Sequence, residues 1–184
     1  MQIREGYMPY LGYQTYYRIV GKKSNNKKPL VLLHGGPGST HNYFELLDDI
    51  AVDGRQIIMY DQLGCGKSAV PSNPSLWKKE TWANELIELR KYLGLDEIHL
   101  LGQSWGGMLA FIYMCDYQPA GIKSLILSGT LPSAKLCTPL VAKTMYDGIP
   151  NSRWELFAHS RHMPFVEENE KYESILTKWM DDHD

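Results

Sequence analysis

Four compact apolar runs set the rhythm of the chain: PLVLLHG (29–35), QIIMYDQ (56–62), IHLLGQS (98–104) and SLILSG (124–129). Apolar on both faces, they predict parallel strands covered by helices. The segments between them read as helical. Residues 81–93 place Trp82, Leu86, Leu89 and Leu93 on one stripe and stop at Gly94, which suits the left-handed position after a helix. Residues 105–117 predict a second, largely apolar helix that is buried. Ahead of the first run, YQTYYRIVG (13–21) is aromatic and β-branched and reads as an antiparallel strand, with KKSNNKK as its turn. Beyond the last run, Thr138 and Pro139 cap and open a helix ending near Gly148. SRWELFAHS (152–160) reads as a short strand. Residues 170–182 put Tyr172, Ile175, Leu176, Trp179 and Met180 on one face of a terminal amphipathic helix. This alternation with right-handed crossovers predicts a doubly wound α/β fold with a mostly parallel sheet. The rhythm breaks once. Between Ser128 and Pro139 lies GTLPSAKLC, with no strand in it.

Composition narrows the class without changing the fold. The 184 residues fit one domain, 1–184, with 43% apolar and 22% charged positions. A net charge of −2 offers no basic face for nucleic acid. Lys22, Lys23, Lys27 and Lys28 read as a solvated loop. Cys65, Cys115 and Cys137 are odd in number and lack metal-type spacing, so neither disulfides nor a metal is expected. The first residues show no apolar signal region, and nowhere do 18 apolar residues run together. The expectation is a soluble cytoplasmic protein that contacts no membrane.

Chemistry concentrates after two of the apolar runs. Gly102-Gln103-Ser104-Trp105-Gly106 fits G-x-S-x-G between a strand and a helix. A sharp turn there needs small neighbours and lifts the serine Oγ to a helix N-terminus, whose dipole and N–H groups favour an oxyanion. The alternative is a plain turn with a serine N-cap. His34-Gly35-Gly36-Pro37-Gly38 follows PLVLL. In a G-x-S-x-G hydrolase this loop gives one oxyanion donor and the residue after the serine gives the other, here the N–H groups of Gly36 and Trp105. His34 reads as a brace for the loop. No Gly-Lys-Ser/Thr follows, so a phosphate cradle is disfavoured.

Together LLHGGPGSTHNYF, YDQLGCGKS and LLGQSWGGMLA resemble the proline iminopeptidases of the α/β-hydrolase superfamily, and CTPLVAKTMYDGIPNSRWELFAHSRHMPFVEENEKY resembles that family's C-terminal end. The resemblance implies an α/β-hydrolase fold, release of N-terminal proline from small peptides, and no cofactor. It implies Ser104 as nucleophile, Gly36 and Trp105 as oxyanion donors, and His162, in SRHMPF, as general base. Asp61, Gly64 and Gly66 are read as architectural. Of the other histidines, His34 and His41 fall in the oxyanion loop, His99 in a strand and His183 at a frayed end. His159 is taken as a surface residue.

One departure stands out. In the family a lid domain, a further core strand and the catalytic aspartate come between the counterparts of SLILSG and CTP. Here Lys135 holds the aspartate's position, and no Asp or Glu occurs from Tyr117 to Tyr146. Residues 1–136, with the nucleophile, and 137–184, with the histidine, are therefore read as joined near 136/137 without lid, strand or acid. Ordinary loop divergence is the alternative. Asp147, Glu155 and Glu167 are the candidate substitutes for the acid. A missing strand leaves an open sheet edge, which predicts self-association. Beside a peptidase stand two further readings: a lid-less hydrolase of small esters, and a catalytically impaired remnant or scaffold.

Overall fold

A computed structural model of the chain describes residues 1–130 and 147–184. Its sheet contains β1 (Ile3–Tyr10), β2 (Tyr13–Val20), β3 (Leu30–Leu33), β4 (Ile57–Tyr60), β5 (Ile98–Gln103) and β6 (Ile122–Ser128), in the spatial order β1-β2-β4-β3-β5-β6. The last four run parallel, and β2 pairs antiparallel with both β1 and β4. The four apolar runs thus become the parallel strands. β1 is an addition to the expected set. It is joined to β2 by Leu11 and Gly12 at φ 49° and 81°, the two-residue turn whose twist suits a hairpin.

Strand alternation divides the interior into two layers. Val31, Leu33, Ile58, Tyr60 and Leu100 face the helices α1 (Lys79–Leu93) and α2 (Trp105–Ile112). Leu30, Leu32, Ile57, Met59 and Leu101 face the other way. That side is covered by a 3₁₀ segment, His41–Asp53, the single turn α3 (Pro164–Glu167) and α4 (Asn169–Asp181). α1 carries the expected stripe and ends at Gly94 with φ 64°. The helix expected over 105–117 is α2 followed by a wider π turn, Tyr113–Tyr117.

The strand expected at 152–160 is not there. A strand needs a ladder partner, and β6, the last strand of the sheet among the described residues, does not pair with this segment. Instead Leu156 stands exposed and Arg153 pairs with neighbouring Glu155. The junction near 136/137, Lys135, and the helix from Thr138 lie outside the described residues, apart from that helix's last positions. Among the described residues no helix is long and apolar enough to cross a membrane.

Two buried ionisable groups hold distant segments together. At the N-terminal ends of the parallel strands, the Arg55 guanidinium donates to Lys28 O at 2.6 Å, to Asp181 Oδ1 at 2.6 Å and to Asp184 Oδ2 at 2.7 Å. His99 Nε2 reaches Asp184 Oδ1 at 3.2 Å, so α4 is tied to β5. His183, expected to fray, packs on Trp179 with Nδ1 2.6 Å from the Trp179 carbonyl.

The second group is Glu85 on α1, fully buried. Its carboxyl accepts the Leu63 N–H at 3.0 Å and hydrogen-bonds the Thr15 hydroxyl. Burial pushes its pKa up to about 8. The folded state therefore holds this proton more tightly than the unfolded chain does, and its contribution to stability is lost as pH rises towards 8. The stability of Glu85→Gln relative to the unsubstituted protein is expected to rise between pH 5 and 8, by at most about 1.4 kcal/mol per pH unit. Urea unfolding midpoints across that window measure it, and the difference between the two proteins isolates Glu85 from the histidines.

Candidate active site

The strand-to-helix turn after β5 places Ser104 at φ 53°, ψ −118°, a conformation costly for any residue with a side chain. Small neighbours make it feasible. A Cβ on Gly106 would lie 2.0 Å from the Leu33 carbonyl oxygen, and one on Gly102 would lie 2.4 Å from the Gly106 oxygen. Both positions must therefore be glycine for α2 to start so close to β3. The turn is pinned by the Ser104 N–H, which donates to Ser128 O at 3.0 Å, and by the Thr130 hydroxyl, which donates to Ser104 O at 2.6 Å.

The loop after β3 is braced from within the protein. His34 is fully buried, and its Nε2 accepts the Gln62 N–H at 2.9 Å. The proton is thus on Nδ1, which donates to Gly35 O at 2.9 Å. Burial lowers the pKa of this imidazole, in keeping with a neutral ring. Gln62 also donates from Nε2 to His34 O at 2.8 Å, while its Oε1 accepts from the Trp105 indole at 3.0 Å. The Gly35 N–H donates to the Tyr43 hydroxyl at 2.6 Å, which in turn donates to Gln103 Oε1 at 3.0 Å. Gly36 follows at φ 118°, exposed to solvent. A Cβ there would meet Gly38 N at 2.5 Å.

Asp61 fixes the neighbouring turn. It accepts the His41 N–H at 2.8 Å, His41 Nδ1 at 2.7 Å and the Lys67 N–H at 2.8 Å. Burial raises its pKa, but these hydrogen bonds outweigh it and hold the carboxyl below its ordinary value. Gly66 packs against it: a Cβ there would sit 2.4 Å from Asp61 Oδ2. A Cβ on Gly64 would meet the Trp77 ring at 2.6 Å. His41 is thus engaged by Asp61 at the start of the 3₁₀ segment that follows the oxyanion loop.

His162 arrives from the other half of the chain. It lies in the exposed loop before α3, against the end of β6. A Cβ on Gly129 would lie 2.7 Å from its carbonyl oxygen and 3.3 Å from its Nδ1. Gln103 Nε2 donates to the same carbonyl at 3.4 Å. Ser104, the Gly35–Gly36 loop, Trp105 and His162 therefore converge at the C-terminal ends of β3, β5 and β6, where ligands of open α/β sheets bind. Of the candidate acids, Glu167 accepts the Arg161 N–H at 3.1 Å and Glu155 pairs with Arg153. Among the described residues no carboxylate forms an ion pair with the His162 ring. His159 is exposed.

Sequence reasoning missed Tyr43, Gln62 and the working side chain of Gln103. Their neighbours in the motifs marked the place, but not that these side chains meet across loops.

The chain matches the family model described as alpha/beta hydrolase fold over residues 28–147. It is 46% identical to a protein named proline iminopeptidase from Clostridium botulinum, over 293 aligned positions that take in all of both chains. It is 44% identical to one of the same name from Clostridioides difficile, again over 293 positions and all of both chains. Because this chain has 184 residues, it leaves many of those positions unfilled. The crystal structure of a proline iminopeptidase from Mycobacterium smegmatis superposes with a TM-score of 0.68 at 28% identity, covering 97% of this chain and 58% of that one.

Tyr43→Phe removes the acceptor of the buried Gly35 N–H and should destabilise the protein by about 1–3 kcal/mol. Chemical denaturation measures the loss. A change within 0.5 kcal/mol, roughly the range of an ordinary surface substitution, would show that the loop has another support.

Proposed function

Since this chain belongs to the α/β-hydrolase fold family and, within it, to the proline iminopeptidases, we propose that it is a serine peptidase-type hydrolase releasing N-terminal proline from small peptides. The strained turn at Ser104 carries the reading. It is built between two glycines that admit no side chain, beside the loop that holds His162. His162 takes the Ser104 proton as Oγ attacks the prolyl carbonyl. The N–H groups of Gly36 and Trp105 hold the oxyanion. The intermediate collapses as His162 protonates the leaving amine, and water then releases proline by the same two steps.

The proposal includes a shortened chain, joined near 136/137 without lid and triad acid. Lys135 at the acid's position supports it, as do the alignment positions the chain leaves unfilled. An imidazole with no carboxylate behind it loses about 10⁴ in turnover, or about 5.5 kcal/mol of transition-state stabilisation. Without a lid, selectivity for proline weakens more than the reactivity of Ser104. The same observations favour a second reading, a hydrolase of small activated esters, whose better leaving groups ask less of the base. Three cysteines, odd in number and without metal-type spacing, favour a reducing cytoplasm. Among the described residues β6 is the outermost strand, with Leu125 and Leu127 only partly covered, and it is the surface we assign to self-association.

A fluorophosphonate probe should label the protein, and Ser104→Ala should abolish labelling, while His162→Ala should slow it by roughly 10³ or more. Absence of Ser104-dependent labelling would leave a scaffold. Hydrolysis of a short acyl ester without any of a prolyl arylamide would sink the peptidase assignment for this chain and leave the esterase.

A further inference from the structure

In the stretch Asp61–Gly66 the side chain of Gln62 is left without a role in the chemistry, yet it is the point where two loops meet. Resting on the serine-hydrolase reading above, we propose that Gln62 is the positioning residue that fixes the two oxyanion donors relative to each other. The donors belong to separate segments: Gly36 lies two residues beyond His34, and Trp105 opens α2. One fully buried residue bridges both. It holds His34 twice, through its backbone N–H on Nε2 at 2.9 Å and its Nε2 on the His34 carbonyl at 2.8 Å. It holds Trp105 once, with Oε1 accepting the indole N–H at 3.0 Å.

The chemistry of the side chain matters as much as its place. The bridge needs a donor aimed at a carbonyl and an acceptor aimed at an indole, both at the end of a three-carbon reach. A primary amide supplies both at any pH near neutrality. Its own backbone is held in place by Asp61, which accepts N–H groups from His41 and Lys67, while the Asp61 N–H donates to Tyr16 O at 3.1 Å. An oxyanion gains full stabilisation only when its donors lie about 2.7–3.1 Å away. A shift of one loop against the other therefore acts on the transition state more than on bound substrate. Gln62 touches neither, so its effect passes through Trp105 and the His34 loop.

Two substitutions test this. Gln62→Met keeps length and loses both side-chain bonds. Gln62→Glu keeps both when its carboxyl is protonated and loses the donor when it ionises. Ester turnover is measured from pH 5 to 9, with urea unfolding of each protein. Gln62→Met should lower kcat roughly 10- to 100-fold with KM within about threefold. The kcat ratio of Gln62→Glu to Gln62→Met should rise as pH falls, because ionisations common to both proteins cancel in the ratio and the neutral acid restores the bridge. A kcat within twofold of the unsubstituted protein, a loss confined to KM, or a ratio flat with pH would overturn the inference. Should Gln62→Met not fold, Gln62→Glu is set against the unsubstituted protein, with the same pH trend required. Failure of the unsubstituted protein to take the fluorophosphonate probe at Ser104 would instead overturn the serine-hydrolase reading, and this inference with it.

Discussion

The distance of closest approach between α2 and β3 governs the active-site end of this molecule. A carbonyl oxygen of β3 occupies the space where any side chain on Gly106 would begin. Because the helix can start there, Ser104 is driven into its strained backbone, and Trp105 comes down within reach of Gln62. The same closeness brings Gln103 under Tyr43. The strain at Ser104 is sustained by bonds on both sides, from Ser128 and Thr130.

Much of the fold could be read from the chain because the parallel strands are buried on both faces and so appear as unbroken apolar runs. β1 escaped notice for the opposite reason. IREGYMPY contains a glycine and a proline, and most of its positions face solvent. The segment 152–160 shows the converse error. Its composition suits a strand, but composition does not supply a neighbour to pair with. The serine, the glycines around it and the HGGPG loop were legible because each is a local requirement of a turn. Gln62, Tyr43 and Gln103 were not, since their roles arise from side-chain contacts between residues 8 to 60 positions apart. Glu85, among Trp82, Leu86 and Leu89, went unnoticed for the same reason, since its partners Thr15 and Leu63 lie far from it in the chain.

The two ends of the sheet are organised on different principles. Around Ser104, neutral hydrogen bonds link loops, and the side chains of His34 and Gln62 spend their polar atoms on one another's backbone, on the Gly35 carbonyl and on the Trp105 indole. Such a network is directional and keeps its geometry as ionic strength changes. At the opposite end, Arg55 gathers Asp181, Asp184 and the Lys28 carbonyl in a charged cluster whose arginine is buried. Breaking such a cluster on one side leaves an uncompensated charge in the interior. The first arrangement aims groups, and the second fastens the chain.

Asp184 sits with His99 at the start of β5, whereas Ser104 follows the end of the same strand. At about 3.3 Å per residue, Asp184 and Ser104 stand roughly 15–20 Å apart along β5. Anything attached beside Asp184, whether a surface, a dye or a second protein, is held at the opposite end of β5 from the reacting groups. A coupling that leaves the Asp184 side chain free would present the catalytic end outward, so immobilised molecules would share one orientation.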